Sequence, residues 1–241
     1  GARRVNADLL ARLNEDRAAK RPVALLTNLK SGHQTLFYPA ENTDRSDISP
    51  EIAEAARRAL RDDRSATVET ADGSVFVHVH NPPMRLVVVG AVHIAQPLVR
   101  MAALAGYAVT VVDPRRAFAS DARFPDIAVS QDWPDEALTG LAPDARTAVV
   151  TLTHDPKLDD PALDVALRSP AFYIGSLGSS RTHGKRCERM RELGHDEAAI
   201  ARIHGPIGLS IGARSPAEIA LAIMAEITRV RRQGDGAGAA A

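Results

Sequence analysis

The chain has 241 residues, 45% of them hydrophobic, with 30 basic and 30 acidic side chains and a formal net charge of zero. That length can bury a real core in one large or two modest domains, and the interspersed charge excludes the electrostatic footprint of a nucleic-acid or anionic-membrane binder. The single cysteine, Cys187, excludes an intramolecular disulfide and a paired-cysteine zinc set, which fits a reducing, cytoplasmic setting. No apolar run approaches the ~20 residues of a membrane span, and the first residues lack the apolar core of a signal peptide, so a soluble protein without a membrane span is expected.

Asn6 to Lys20 carries Leu9, Leu10 and Leu13 with charges opposite, which predicts an amphipathic helix ended by Pro22. Val23 to Leu29 and Gln34 to Tyr38 read as strands around a Ser31-Gly32 turn. Pro50 to Leu60 reads as a helix, and Ala66 to Thr70 with Val75 to Val79 as a hairpin turned at Asp72-Gly73. His78 and His80 share one strand face; with no third ligand in sight they are read as solvent-facing rather than as a metal pair. Asn81-Pro82-Pro83 breaks every regular pattern and marks a boundary, giving a small α/β domain over 1–81 and a second domain over 82–232.

The second domain alternates strands and helices, with strands expected from Leu86, Val109, Ala128, Thr147 and Phe172. Leu86 to Val89 is apolar without alternation, as a parallel strand covered on both faces requires. Gly90 then opens a turn into a helix, and Asp113 closes the next strand at about the ~20-residue offset of an acid that accepts from a ribose. This is the front half of a Rossmann-like doubly wound parallel sheet. Val92 stands where a glycine would let the backbone approach a pyrophosphate, so the loop alone is a weak nucleotide signal.

Ligands of such sheets bind beyond the carboxyl ends of the strands. Thr153-His154-Asp155 follows one strand. GSLGSSRTH, from Gly175 to His183, follows the next and places Gly175, Gly178, Ser179, Ser180 and Arg181 at a helix start, a pattern suited to an anion. HGPIGLSIGAR, from His204 to Arg214, has the glycines Gly205, Gly208 and Gly212 around Pro206 and Ile207 and reads as a pocket wall. Histidines 93, 154, 183 and 204 could approach one crevice, though each alone is more often structural. Ser215-Pro216-Ala217-Glu218 starts the last helix with a capping box, its apolar face running through Ile219, Ile223 and Ile227. The tail from residue 233 is low in complexity and expected to be disordered.

GAVHIAQPL, VVDPR with RFPD, VTLTHDPKLDDPAL, YIGSLGSSRTHGKR and HGPIGLSIGARSPAEIALAIMAEI, in this order, resemble the XdhC/CoxI family over nearly all of Met84 to Val230. RPVALLTNLKSG resembles the family's smaller domain more faintly. The resemblance implies an accessory protein of molybdenum hydroxylases such as xanthine dehydrogenase or carbon monoxide dehydrogenase, which binds molybdenum cofactor and delivers it to the apoenzyme. Two positions depart from the family. Val92 replaces the second glycine of G-A-G-H, and the S-G-G-C segment of the smaller domain has no cysteine equivalent around Ala40 to Glu51.

The function so implied is binding and release of molybdopterin or its cytosine dinucleotide, with FAD as the alternative cargo and NAD less favoured. Gly90, Ala91, Val92, His93 and Ile94 would meet one phosphate, and Asp113 with Arg115 a ribose or pterin donor. Gly175, Ser176, Leu177, Gly178, Ser179 and Arg181 would meet a second anionic group, and Thr153, His154, Gly205, Ile207 and Gly208 would complete the pocket. The partner would be an apo molybdenum hydroxylase; a two-fold homodimer is the general expectation for a soluble oligomer. The rivals are a nucleotide-dependent oxidoreductase on the same fold, and a partner-docking protein that has lost its ligand.

Overall fold

A computed structural model describes residues 7–39, 48–71, 73–118 and 122–233. Contacts divide the chain between Pro82 and Pro83 into two compact units. Asn6, Asp72, most of the Ala40 to Glu51 segment and the tail beyond Gln233 lie outside the described residues. None of the described helices is long and apolar enough to cross a membrane.

The first unit comprises α1 (Ala7–Ala18), β1 (Val23–Asn28), β2 (Gln34–Phe37), α2 (Pro50–Asp62), β3 (Ala66–Thr70) and β4 (Gly73–His80). The strands form one antiparallel sheet in the order β2-β1-β4-β3. Alternation along the strands separates two apolar sets. Ala24, Leu26, Phe37, Val75 and Val77 pack with Ala53, Ala56, Ala59 and Leu60 of α2, while Val23, Leu36 and Tyr38 pack with Leu13 of α1. Ser49 starts α2 by accepting from the Ile52 amide (3.3 Å). In α1, Leu10 is 44% exposed and does not join Leu9 and Leu13. One residue of helix turns it about 100° away, and the buried face continues instead into Asp16, which accepts from the Tyr38 hydroxyl at 2.8 Å. His78 is exposed and His80 half-buried, and no cluster of metal-ligating residues exists among the described residues.

The second unit begins with β5 (Arg85–Val89), α3 (Ala95–Leu104), β6 (Ala108–Val112), β7 (Ala128–Ser130), α4 (Pro134–Leu141) and β8 (Thr147–Thr151). It continues with α5 (Pro156–Arg168), β9 (Tyr173–Ser176), α6 (Ser180–Glu192), α7 (Glu197–Ile200), β10 (Ile203–His204) and α8 (Pro216–Gln233). Its six strands are all parallel in the order β10-β9-β8-β5-β6-β7. This is the expected Rossmann-like doubly wound sheet, with its strand order reversing between β5 and β8. Leu86 and Val88 face α3 and α8, whereas Val87 and Val89 face α4, α5 and α6, so β5 is buried on both sides. β10 was not among the expected strands; it is two residues long and carries no periodic signal.

α8 clamps the last loop to the sheet. Its capping box is complete: Glu218 Oε2 accepts from the Ser215 amide at 2.8 Å and Ser215 Oγ from the Glu218 amide at 3.3 Å. Two turns on, Glu226 is 7% exposed and accepts from the Tyr173 hydroxyl (2.6 Å) and the Gly208 amide (2.8 Å). His204 Nδ1 lies 3.6 Å from its other oxygen, and the His204 ring stacks on Tyr173 at 4.6 Å. Burial pushes the Glu226 carboxyl up, but His204, Tyr173 and the Gly208 amide outweigh it and hold the group below its ordinary value.

Glu226→Ala strands a buried hydroxyl and a half-buried amide, and is expected to lower stability by about 2–4 kcal/mol in urea unfolding. Because the folded pKa lies below the unfolded one, the contribution of the ionised carboxylate is complete above the ordinary value of 4.5 and lost as pH falls through the folded pKa. The gap in urea midpoint between the natural chain and Glu226→Gln should therefore close on acidification. A gap independent of pH would show that the charge contributes nothing.

Candidate functional site

The crevice lies where the strand order reverses. The Gly90 amide donates to Val112 O at 2.8 Å with φ at +108°, and a Cβ there would stand 2.6 Å from Thr153 Cγ2. Only glycine allows the chain after β5 to lie this close to the chain after β8. The Ala91 amide donates to Asp113 Oδ2 at 2.8 Å, and Arg115 adds three bonds to the same carboxylate, from its amide (3.0 Å), Nε (2.9 Å) and Nη2 (2.8 Å). Asp113 is fully buried. Burial pushes its carboxyl up, yet the bonds from Arg115 and Ala91 more than compensate and keep it below the ordinary carboxylate value. Four donors fill the roughly four lone-pair sites of a carboxylate. Asp113 thus ties the turn together from inside, and the group presented outward at this corner is Arg115, packed over the Phe118 ring at 4.6 Å.

Val92 is half-buried and packs with Ile94 against the core cluster beneath α3. The residue in the second-glycine position therefore spends its side chain on the core, while His93 is exposed. Ile94, at the N-cap of α3, makes no side-chain capping bond. By contrast α5 is capped by Asp155, which accepts from the Lys157 amide, and α6 by Ser179, which accepts from the Thr182 amide. Of the helices that follow β5, β8 and β9, α3 is the one without a side-chain cap; its Ala95 amide donates to Val92 O at 3.0 Å and Pro97 has no N–H, which leaves the Gln96 amide open in the first turn.

After β8, Asp159 organises the loop. It is 2% exposed and accepts from Thr153 Oγ1 (2.6 Å), Thr153 N (3.3 Å) and His154 N (3.1 Å). Burial pushes its carboxyl up beyond what these bonds recover. His154 is held at φ +63°, a conformation disfavoured for a residue with a Cβ, and its side chain is exposed.

The loop after β9 turns partly inward. Ser176 is fully buried, with Oγ 2.5 Å from Thr151 Oγ1, and Leu177 N donates to Thr151 O at 2.9 Å. A Cβ on Gly175 would come within 2.5 Å of Ile207 Cδ1, and Ile207 N donates to Ser176 O at 3.2 Å, so the two glycine-rich loops pack on each other. Gly205 abuts the His183 ring, and Gly208, at φ +92°, abuts Ala222 of α8. The expected site residues therefore divide. Gly90, Ala91, Asp113, Gly175, Ser176 and Ile207 are buried and shape the edge, Gly178, Leu177, Gly205 and Gly208 are half-buried, and His93, His154, Ser179 and Arg181 face solvent.

Three residues that build this edge are absent from the sequence-based set: Asp159, Arg186 and Glu226. Asp159 and Glu226 are charges within an apolar helical stripe, whereas α6 is polar and buries only Arg186 and Met190. Arg186 stands four residues before the buried Met190, and Glu226 lies between Ile223 and Ile227. A charged residue on the buried stripe of an amphipathic helix is the signal that would have found the two acids, and Arg186 carries no such signal.

Residues 86–227 match the family model described as the XdhC Rossmann domain. The chain is 34% identical over 163 residues to the uncharacterized protein YqeB of Escherichia coli (strain K12), covering 68% of this chain and 30% of that protein. It is 33% identical over 150 residues to the molybdenum cofactor insertion chaperone PaoD of the same organism, covering 62% and 41% of the two chains. It is 30% identical over 161 residues to a probable xanthine dehydrogenase subunit of Bacillus subtilis (strain 168), covering 66% and 47%. The chain thus spans less than half the length of each of these relatives. A Bacillus halodurans structure described as a xanthine dehydrogenase superposes with a TM-score of 0.68 over 93% of this chain and 67% of that one, at 23% identity, a likeness of fold. The matched segment runs from the first strand of the parallel sheet into its last helix, and the chain belongs to the XdhC family.

Proposed function

We propose that the chain is the cofactor-handling part of an accessory protein that binds molybdenum cofactor, as molybdopterin or its cytosine dinucleotide, and passes it to an apo molybdenum hydroxylase. The observation that carries this reading is the start of α3: a helix without a side-chain cap, at the point of strand-order reversal, beside the outward-facing Arg115. The open Gln96 amide, the positive end of α3 and the Nη1 edge of Arg115, which Asp113 does not use, favour the phosphate of a cargo molecule. The relative named as an insertion chaperone supports the nature of that cargo.

The residues fit the anionic end of the cargo better than its metal end. The chain's one thiol, Cys187, is half-buried on α6, with Sγ 3.5 Å from His183 Nε2, and packs against the core cluster beneath α5. Holding and releasing through hydrogen bonds, with no thiolate bond to the metal, is what this donor set can do. Gly90 admits the close approach of the two loops, Asp113 fixes the Ala91 amide and Arg115, and Arg115 supplies a charge-assisted contact.

Anaerobic purification, denaturation and identification of the released molecule by absorption and mass spectrometry test the reading. A molybdopterin species, transferable to an apo-hydroxylase with recovery of its activity, is the expected result. FAD, NAD, or a chain that stays empty after reconstitution would overturn it. Gly90→Ala forces a Cβ into Thr153 at a positive φ. It is expected to lower stability by about 1–3 kcal/mol and to weaken pterin retention at least tenfold. Undiminished pterin affinity in the destabilised variant would separate this turn from binding.

A further inference from the structure

A second feature of the same edge is independent of the α3 turn. Between the first turns of α5 and α6 lies a cavity of about 220 Å³ lined by His154, Asp159, Arg181, Thr182, Lys185, Arg186 and Arg189, with Pro156. Arg186 is the unusual member. It is 2% exposed and heads the largest fully buried side chains. Nη2 donates to Leu177 O at 2.8 Å, but Nε and Nη1 are buried and without a hydrogen-bond partner.

A buried guanidinium with two unmade donor positions is costly, and native proteins keep such groups where something else completes them. Burial pushes the Arg186 pKa down, and the nearby charges of Asp159 and Asp160 only partly restore it. Neither carboxylate closes the gap. Asp159 is engaged by Thr153 Oγ1 and the Thr153 and His154 amides, and Asp160 is paired with Arg189. Arg181 and Lys185, both exposed at the mouth, have no ion-pair partner among the described residues.

We propose that this cavity is a phosphoryl-binding site in which the buried guanidinium of Arg186, with Lys185 and Arg181 at the mouth, holds the phosphate or diphosphate group of the cargo. The open Nε and Nη1 donors of Arg186 lie along different edges of the guanidinium plane, each beside the Nη2 that serves Leu177 O, so each offers one charge-assisted bond to a phosphoryl oxygen. Thr182, one turn before Arg186, adds a hydroxyl, and the positive end of α6 points the same way. The strained φ of His154 fits this placement, since it turns the loop after β8 along the cavity wall. The proposal takes its ligand from the cargo reading above, but the anion site stands on its own geometry.

Titration calorimetry of the 241-residue chain with inorganic pyrophosphate and with inorganic phosphate at low salt tests the site directly. The natural chain should bind pyrophosphate, and Arg186→Met and the double variant Arg181→Ala, Lys185→Ala should each lose at least tenfold. The double variant alters only exposed side chains and keeps the test decisive if Arg186→Met does not fold. Lys157→Ala removes an exposed cation outside the lining and should leave affinity unchanged. Absence of pyrophosphate binding, or equal losses in Lys157→Ala and the double variant, would overturn the site. Pterin loading separates the two readings. Equal loading of the natural chain and the double variant would refute the phosphoryl site and leave the cargo standing. Variant-sensitive pyrophosphate binding without any pterin binding would support the site and refute the cargo.

Discussion

The close approach of the two chain segments that leave β5 and β8 governs everything at the functional edge. Those strands are neighbours, yet the helices that follow them go to opposite faces of the sheet: α3 to the side shared with α8, α5 to the side shared with α4 and α6. A crevice opens wherever neighbouring strands send their chains apart in this way. Its floor is set by Gly90 against Thr153, where no side chain larger than hydrogen fits on the β5 side. The positions of the α3 amides, of Arg115 and of the loop after β8 are all measured from that contact.

Three buried carboxylates complete the scaffold at the loops after β5, β8 and β10. Asp113 binds the Ala91 and Arg115 amides, Asp159 the Thr153 and His154 amides, and Glu226 the Gly208 amide. In each case an acid inside the protein satisfies loop backbone that would otherwise need water. Their pKa directions differ because the balance differs. Asp113 and Glu226 have enough donors to overcome burial, whereas Asp159 does not. With the acids turned inward, Arg115, Arg181 and Lys185 are left at or near the surface.

This arrangement also accounts for the family departures. A β-branched residue at position 92 is compatible with the turn because its side chain packs onto the core cluster under α3. Absence of a cysteine in the region of Ala40 to Glu51 leaves Cys187 as the one thiol, and that residue is packed on α6 rather than displayed.

Much of the architecture was legible from local signals. The unalternating run Leu86 to Val89 announced a strand covered on both faces, the capping box at Ser215 to Glu218 announced α8, and Asn81-Pro82-Pro83 sits where the contacts divide the chain. These are properties of neighbouring residues, and periodicity, capping and proline chemistry report them without any knowledge of the fold. Residue types at the edge were legible as well, since glycines, a serine cap and an arginine at a helix start carry their chemistry on their face. Tertiary structure alone decided which of them faces outward. Ser176 and Asp113 look like ligand contacts in one dimension, but Thr151, 25 positions away, and Ala91, 22 positions away, claim their polar atoms. Arg186 looks like one more charge on a surface helix, and becomes the buried member of a cationic cavity only when α6 lies against the chain leaving β9. For these residues burial and the choice of hydrogen-bond partner are set by segments distant in sequence, and no local pattern encodes them.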